Sequence, residues 1–548
     1  MTYVCYDIKG IQRFIFSVPK LKCIVGGSSL IDEFDRESQD GRHGELIFAG
    51  GGRGAFYCAD ESQADEQKGS LVKRAHSVGL DVQFGTDRSL LEASRNAEEF
   101  FPYCPDDLKG EPCAISGLFP AQKGKANEKI RLRMTEGRKD EFGKRILKGL
   151  RDRLPEQLRG RNVEFFRNVS STLDSLEEDD EQYRSVEQRH TLAAQAAMGN
   201  RNRWAVIAMD GNDIGSQFSA YREKAKRADG LVDEKQLKTW LAKMSVAMKQ
   251  CTIQAVLHGL ETVLKAWSCD FNPDGSTYTD STNADVTVIP LRPLILGGDD
   301  VVILCHCAYA FDFVRAVADR FAVESKAAAE SHKDGQLWPG SGNELSISAG
   351  VLFANLHLPL HAAVPYAEDL LKNAKRVYRQ LANAAGAQQQ MPTAAAVDFE
   401  VVTDSLLDSP TERRRREFEF NDPELGVEIH LSRRPYRLFK KSSQANPPRK
   451  DDTWADLEAL ANRLHEIPPS VRAEFMQKMR GPWSQRTEFM ASLQKRYSDV
   501  VKLYAEGIST DDQLGSGWHT REKNSRECGL ADALILLEEE KRSRQQTT

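Results

Sequence analysis

Short apolar runs that stop at glycine or aspartate recur along this chain, alternating with stretches whose apolar residues return every three or four positions. The first pattern predicts strands entering turns, the second amphipathic helices. Residues 3–7 read as an opening strand, and a turn at Gly26-Gly27-Ser28-Ser29 leads into a helix over 30–34. Glu45-Leu-Ile-Phe-Ala-Gly50-Gly51-Gly52-Arg53-Gly54-Ala-Phe-Tyr-Cys58 predicts a hairpin about a glycine turn, with helices at 62–78 and 87–101 flanking a strand at 79–84. Residues 103–200, broken by prolines and then charged, are mostly helical. A second unit starts at Arg203 with a strand over 204–209 and a long helix marked by Leu237, Leu241, Met244 and Met248. A hairpin across 291–304, a helix over 309–330, a strand at 345–353, a helix around 366–381 and a strand at 396–402 complete it. Strand, helix, hairpin, helix, strand is the ferredoxin-like order. Residues 410–450 read as loop, and 451–540 as helices with stripes Trp454, Leu457, Leu460, Leu464 and Phe489, Leu493, Tyr497, Val500.

The expected fold class is therefore α+β. Two ferredoxin-like domains, 1–102 and 201–450, are separated by a helical segment, 103–200, and followed by a helical domain, 451–548, with a polar tail. Both α+β units share an opening strand that carries an aspartate, a helix and a glycine-turn hairpin, the scheme of a divergent internal duplication.

Composition narrows the setting. At 548 residues the chain exceeds one core. Its formal net charge of -6 leaves nucleic-acid binding to local basic patches. Arg413-Arg-Arg-Arg416 is one such patch, with a solvated basic loop as the competing reading. The ten cysteines show no repeated CxxC pairs, which fits a reducing compartment better than a disulfide framework. No apolar stretch reaches the roughly 18 residues of a membrane span, and the first residues lack a signal-peptide layout, so a cytoplasmic protein without membrane contact is expected. Glu177-Glu-Asp-Asp-Glu181 reads as a solvated helix face. In Cys305-His306-Cys307, strand alternation leaves only the two cysteines on one face, so these read as ordinary strand residues.

The sharpest chemistry lies at Gly297-Gly298-Asp299-Asp300, between apolar runs 291–296 and 301–304. Adjacent carboxylates at a strand turn repel one another unless a cation neutralises them. Upstream, Trp204-Ala-Val-Ile-Ala-Met-Asp210-Gly-Asn-Asp213-Ile-Gly215 is another strand that ends in acids and glycine. Asp210, Asp299 and Asp300, with Asp213, form a hard-oxygen set suited to Mg2+ or Mn2+, and a pair of such ions suits phosphoryl transfer. Gly297 and Gly298 let backbone approach phosphates closely. Gly26, Gly27 and Ser28 offer backbone amides at the start of the following helix, with a plain turn as the alternative.

At these residues the chain resembles the palm of nucleotidyl cyclases and GGDEF diguanylate cyclases. It resembles more closely the large subunit of CRISPR type III effector complexes, the polymerase-like cyclic oligoadenylate synthase. The motifs that carry this are Asp7-Ile-Lys-Gly-Ile-Gln-Arg-Phe-Ile-Phe16, Gly26-Gly-Ser-Ser-Leu-Ile-Asp32, Met209-Asp-Gly-Asn-Asp-Ile-Gly215, the GGDD turn, Ile347-Ser-Ala-Gly350, Ala367-Glu-Asp-Leu-Leu-Lys-Asn-Ala-Lys375 and Ala396-Val-Asp-Phe399. They cover roughly 1–60 and 200–440. The resemblance implies ATP as substrate, Lys375 on the triphosphate with Lys372 able to substitute, and Ser348 or Ser346 on the strand that reads adenine, where strand alternation makes packing serines the equal alternative. Partners would be guide and target RNA and other effector subunits. Many family members carry an HD nuclease, but this sequence has no His-Asp dipeptide, so no DNase activity is expected. Where relatives carry a cysteine-rich zinc element, only Cys104 and Cys113 stand here, and two thiols do not complete a zinc site. In the first hairpin Arg53 stands where a carboxylate would be, so that palm binds or supports without catalysing. The competing readings are a free-standing cyclic-nucleotide synthase of another anti-phage system and a scaffold subunit with a vestigial palm.

Overall fold

A computed structural model of the chain describes residues 2–98, 137–169, 181–199, 203–385, 395–438, 453–497 and 519–537, except positions 19, 39–42, 138, 228, 333–336, 340–343, 404–407, 423, 425, 466, 523–524, 528 and 530. Cys104, Cys113, Val500 and residues 177–180 lie outside the described residues.

The first unit runs β1 (Thr2–Ile8), α1 (Ile11–Ile15), α2 (Leu21–Ser38), β2 (Glu45–Gly50), β3 (Arg53–Cys58), α3 (Glu61–Val78), β4 (Val82–Asp87) and α4 (Leu90–Glu98). Its sheet has the order β2-β3-β1-β4, with every pair antiparallel, as the ferredoxin-like pattern predicts. One expectation fails locally. Gly26, Gly27 and Ser28 are not a turn but sit inside α2, which starts at Leu21. A Cβ on Gly27 would lie 3.4 Å from the Ile15 Cα, so close helix packing accounts for that glycine. Helical hydrogen bonding takes up the amides that would have met a phosphate, and the Ser28 hydroxyl donates to the Ile24 carbonyl.

The intervening segment contributes α5 (Glu141–Leu150), a short strand β5 (Asn162–Phe165) and α6 (Glu181–Ala197). Asp140 caps α5 and receives a buried bidentate pair from Arg292, at 2.5 and 2.7 Å, which ties the segment to the second unit.

The second unit opens with β6 (Arg203–Gly211), α7 (Ile214–Lys224) and α8 (Glu234–Asp270). The Asp233 side chain starts α8 by accepting from the amides of Lys235 and Gln236. Strands β7 (Thr277–Thr279) and β8 (Asp285–Ile289) pair with each other, and β8 also pairs with β5. Then follow β9 (Leu291–Gly297), β10 (Asp300–Cys305), α9 (Ala310–Ser331), β11 (Ile347–Asn355), α10 (Leu360–Ala385) and β12 (Ala396–Val402). The main sheet, β9-β10-β6-β11-β12-β15, repeats the order of the first unit and extends it by two strands.

Both faces of this sheet are covered, so its strands are apolar throughout. Along β6, Ala205, Ile207 and Met209 point into a core shared with α8 and α9. Trp204, Val206 and Ala208 point into a core shared with α10 and the first unit, including Val4, Tyr6 and Phe14. The opposite face of the first unit, at Tyr3 and Cys5, packs on Tyr221, Leu237 and Trp240. At the end of β10, Cys305 and His306 are buried, and His306 Nδ1 accepts from the Ala308 amide at 3.1 Å. β10 ends at Cys305, so His306 and Cys307 open a short helical turn and are not the strand residues expected from the sequence.

Residues 410–438 are more ordered than a loop. They form α11 (Pro410–Phe418), opened by a Ser409–Glu412 capping box, then β13 (Glu419–Asp422), β14 (Val427–His430) and β15 (Tyr436–Arg437). The basic run lies on α11, and its Arg414 is buried against Asp398 (2.6 Å) and Glu400 (3.3 Å) of β12. Arg413 is buried beside Glu417, leaving only Arg415 and Arg416 exposed. The C-terminal segment is helical at α12 (Trp454–Leu464), α13 (Pro469–Met479) and α14 (Trp483–Arg496), and it adds β16 (His519–Glu522) and β17 (Ser525–Glu527). These two strands complete a sheet of order β13-β14-β17-β16. Arg434, fully buried, holds Glu400 and Asp532, each at 2.9 Å. Among the described residues no helix is long and apolar enough to cross a membrane.

Candidate active site

The acids meet because of strand register. β10 pairs antiparallel with β6, with Val301 opposite Met209, so the next positions, Asp300 and Asp210, fall side by side. Asp299 lies next to Gly211, where a Cβ would come within 2.9 Å of the Asp299 Oδ2. Gly298 closes the turn at φ +64°, a conformation that favours glycine. Three carboxylates are thus delivered to one place by two strand ends and a turn.

Their electrostatics record the crowding. Burial and the neighbouring Asp210 and Asp300 push the Asp299 carboxyl well above its ordinary range. Asp300 is pushed up to about 6 by burial and by Asp210, against the opposing charges of Lys375 and Arg53. Lys375, from α10, forms an ion pair with Asp210 and donates to the Gly211 carbonyl at 2.7 Å. One ammonium does not balance three carboxylates. The donor set fits a hard divalent cation, since oxygen ligands alone converge and the protonation of Asp299 relieves a charge that such an ion would neutralise.

Two cavities meet at this cluster. One, of about 300 Å³, lies between the two palms. Its lining includes Ile11, Ile15, Ile31, Met209, Leu294 and Leu371, together with the charged Asp32, Asp35, Asp210, Lys249, Asp300, Glu368, Lys372 and Lys375. The other, of about 310 Å³, is polar and runs from Asp210 and Asp299 along Gly211–Ser216 to Lys375 and Arg379. Asp213 lines this second cavity at φ +56° as the residue before α7.

The palms touch at their turns. A Cβ on Gly297 would lie 2.9 Å from the Gly51 Cα, so the GGDD turn and the Gly50–Arg53 turn pack backbone to backbone. In the first palm, Asp7 is held by Lys9 at 2.5 Å and Arg53 at 3.2 Å. Gln12 of α1 donates to Glu368 of α10 across the inter-palm cavity. Burial and the charge of Asp300 raise Glu368 to about 7.

The structure brings Asp210, Asp299, Asp300, Asp213, Gly297, Gly298 and Lys375 together. Lys372 reaches the cavity but is largely exposed and paired with Asp369. Ser348 stands apart. It is fully buried, donates to the Asn212 side chain at 3.0 Å and accepts from the Ala396 amide at 3.2 Å, while Ser346 accepts from Asn212 at 2.8 Å. The register sets Ser348 opposite Asp210 on the same face of the sheet, but its hydroxyl is taken up by its bonds to Asn212 and Ala396 and it lines neither cavity. Ser28 lines the inter-palm cavity by its side chain only. Sequence reasoning missed Arg379, which its spacing of four from Lys375 on one helix face would have revealed, and Arg53, whose charge reaches Asp300 from the other palm.

Residues 203–382 match the family described as Cas10/Cmr2, second palm domain. No curated protein matches the chain. Among solved structures, the chain is similar to one described as a Csm1-Csm4 cassette in complex with cA3 (14% identity, TM-score 0.34, over 69% of this chain and 53% of that one). It is also similar to the cassette in complex with pppApA (14%, TM-score 0.40, over 98% and 69%) and to the apo cassette (12%, TM-score 0.39, over 100% and 70%). In the first of these the chain spans about half the length of its match. Residues 203–382 are a second palm domain of the Cas10/Cmr2 kind.

Proposed function

We propose that the second palm is a nucleotidyltransferase that joins ATP molecules into cyclic oligoadenylate, within a type III effector and on recognition of target RNA by the guide. The observation that carries this is the convergence of Asp210, Asp299 and Asp300 where a partly apolar cavity meets a polar one that also holds Lys375 and Arg379. The partly apolar cavity suits adenine and ribose. The polar cavity suits a triphosphate, held by Lys375 and Arg379 as cations and by the backbone approach at Gly211 and Gly298.

Asp210, Asp299 and Asp300, with Asp213 beside them, would hold Mg2+ or Mn2+. Such an ion, when bound, neutralises phosphate charge and acidifies a 3′-hydroxyl. The reaction class is attack of that hydroxyl oxygen on the α-phosphorus of a second ATP. The new P–O bond replaces the bond to pyrophosphate, which leaves, and the hydroxyl proton passes to solvent or a carboxylate. Lys375, here paired with Asp210, would be freed to reach the phosphates where the carboxylates hold a metal. The palms hold the two nucleotides on either side of the touching turns, which supplies orientation.

The test is incubation of the purified chain, alone and assembled with guide and target RNA and effector subunits, with each labelled nucleoside triphosphate and Mg2+ or Mn2+. Product masses are then read. A cyclic adenylate made by wild type and absent with Asp299→Ala/Asp300→Ala supports the reading. Equal conversion by both proteins overturns it.

A further inference from the structure

Away from the palm cavities, the hairpin β13–β14 gathers a second set of metal-ligating side chains. Glu419 and His430 are direct cross-strand partners, and Asn421 and Glu428 are the next same-face pair. The His430 ring is nearly buried, with Glu419 3.3 Å from Nδ1 and Glu428 3.4 Å from Nε2. One donor atom from each of the three residues lies within 4.8 Å of the others. A zinc ion with ligands at about 2.0–2.2 Å places its donors roughly 3–4 Å apart, so an ion here takes one ring nitrogen and the carboxylate now facing the other nitrogen turns to reach it.

The rest of the sheet points the same way. β17 lies parallel to β14 and places Glu527 at the register position beside His430, and β16 places His519 beside Glu527. One row across four strands therefore reads Glu419, His430, Glu527, His519. Imidazole and carboxylate together select zinc and its transition-metal neighbours over Mg2+, which prefers oxygen and water. Two carboxylates with a neutral imidazole carry the charge that one divalent ion cancels. β17, which follows the C-terminal helices, pairs with β14, so an ion that stiffens β14 steadies the strand on which β17 docks. Metal binding of that kind adds to folding stability.

We propose that this hairpin holds a structural zinc ion, with Glu419, Glu428 and His430 as ligands, which pins β13 to β14, the strand on which β17 pairs.

Zinc content and Zn2+ affinity are measured on the full chain carrying Asp299→Asn/Asp300→Asn, so that the palm carboxylates do not compete. Co2+ serves as a visible-absorption probe of imidazole ligation. One zinc per chain is expected, together with a rise in Tm on adding Zn2+. Glu428→Gln, a change at a half-exposed side chain, and His430→Gln are each expected to weaken Zn2+ binding by about 100-fold or more and to remove the Tm rise. Circular dichroism confirms that both variants stay folded. Unchanged zinc stoichiometry and affinity in folded Glu428→Gln and His430→Gln overturn the proposal, as does a Tm that ignores Zn2+ in the parent.

Discussion

The first palm's turn, Gly50-Gly51-Gly52-Arg53, and the second's, Gly297-Gly298-Asp299-Asp300, occupy the same place in the same strand order and pack against each other. Gly50 is paired with Arg53 as Gly297 is paired with Asp300. In the first, the strand aspartate Asp7 meets two cations, Lys9 and Arg53. In the second, the corresponding strand acid joins two more and meets a single lysine. Equal folding with unequal charge separates scaffold from chemistry. The palm topology needs only the apolar strands and the glycine turn, whereas the unbalanced acids cost stability and make sense as a place for cations.

Neutralising the acids of the second turn tests that contrast most severely. Asp299→Asn/Asp300→Asn should lower product formation on the order of 10³-fold or more while Tm stays level or rises, since mutual repulsion is removed. A lowered Tm would mean that the acids serve the fold. Lys375→Ala should reduce turnover by roughly 10–100-fold, and Lys372→Ala by far less, because only Lys375 reaches the acid cluster. Steady-state rates with ATP separate the two.

The pH response should divide the palms as well. Asp300 has its pKa raised to about 6 in the fold against an ordinary 3.8, so the metal-free protein binds protons more tightly folded than unfolded. That acid therefore lowers stability as pH climbs from about 4 through about 6, and Mn2+ affinity rises across the same interval as the carboxylates ionise. Calorimetry at pH 5 and pH 8 reads both trends, and in Asp299→Asn/Asp300→Asn the pH dependence of Mn2+ binding should vanish. Gly297→Ala should cost about 1–3 kcal/mol, because its methyl meets the Gly51 backbone, while Gly50→Ala has open space and should be near neutral. Denaturant titrations of the pair test the contact. The smallest effect is expected of Arg53→Gln, which removes an opposing charge and should raise the acidic limb of the pH–rate profile by a fraction of a unit.

The strand order, the paired acids and Asp210 were legible because each rests on local pattern: an apolar run, a glycine turn and an aspartate at a strand end. Lys375 was legible only by its helix motif. What escaped was whatever depends on a distant partner. Gly26 and Gly27 read as a turn, yet apolar residues on either side keep a helical period that packing on Ile15 sustains. Ser348 read equally as a base contact or a packing serine, and its hydroxyl went to Asn212. Arg414 read as solvated because its anions, Asp398 and Glu400, lie on another strand. β16 and β17 were invisible because their pairing with β14 is not written near them.

Arg434 has a consequence for how this protein can be handled. Its guanidinium is sealed between the Phe399 and Phe418 rings, 5.0 Å from each, and one of its two anions, Asp532, comes from the far end of the described chain. Shortening the polypeptide ahead of Asp532 would leave Arg434 paired with Glu400 and uncover that pair. The helical turn that carries Asp532 therefore works as a plug for the palm's flank. Tags and fusions belong beyond it, with Asp532 left in place.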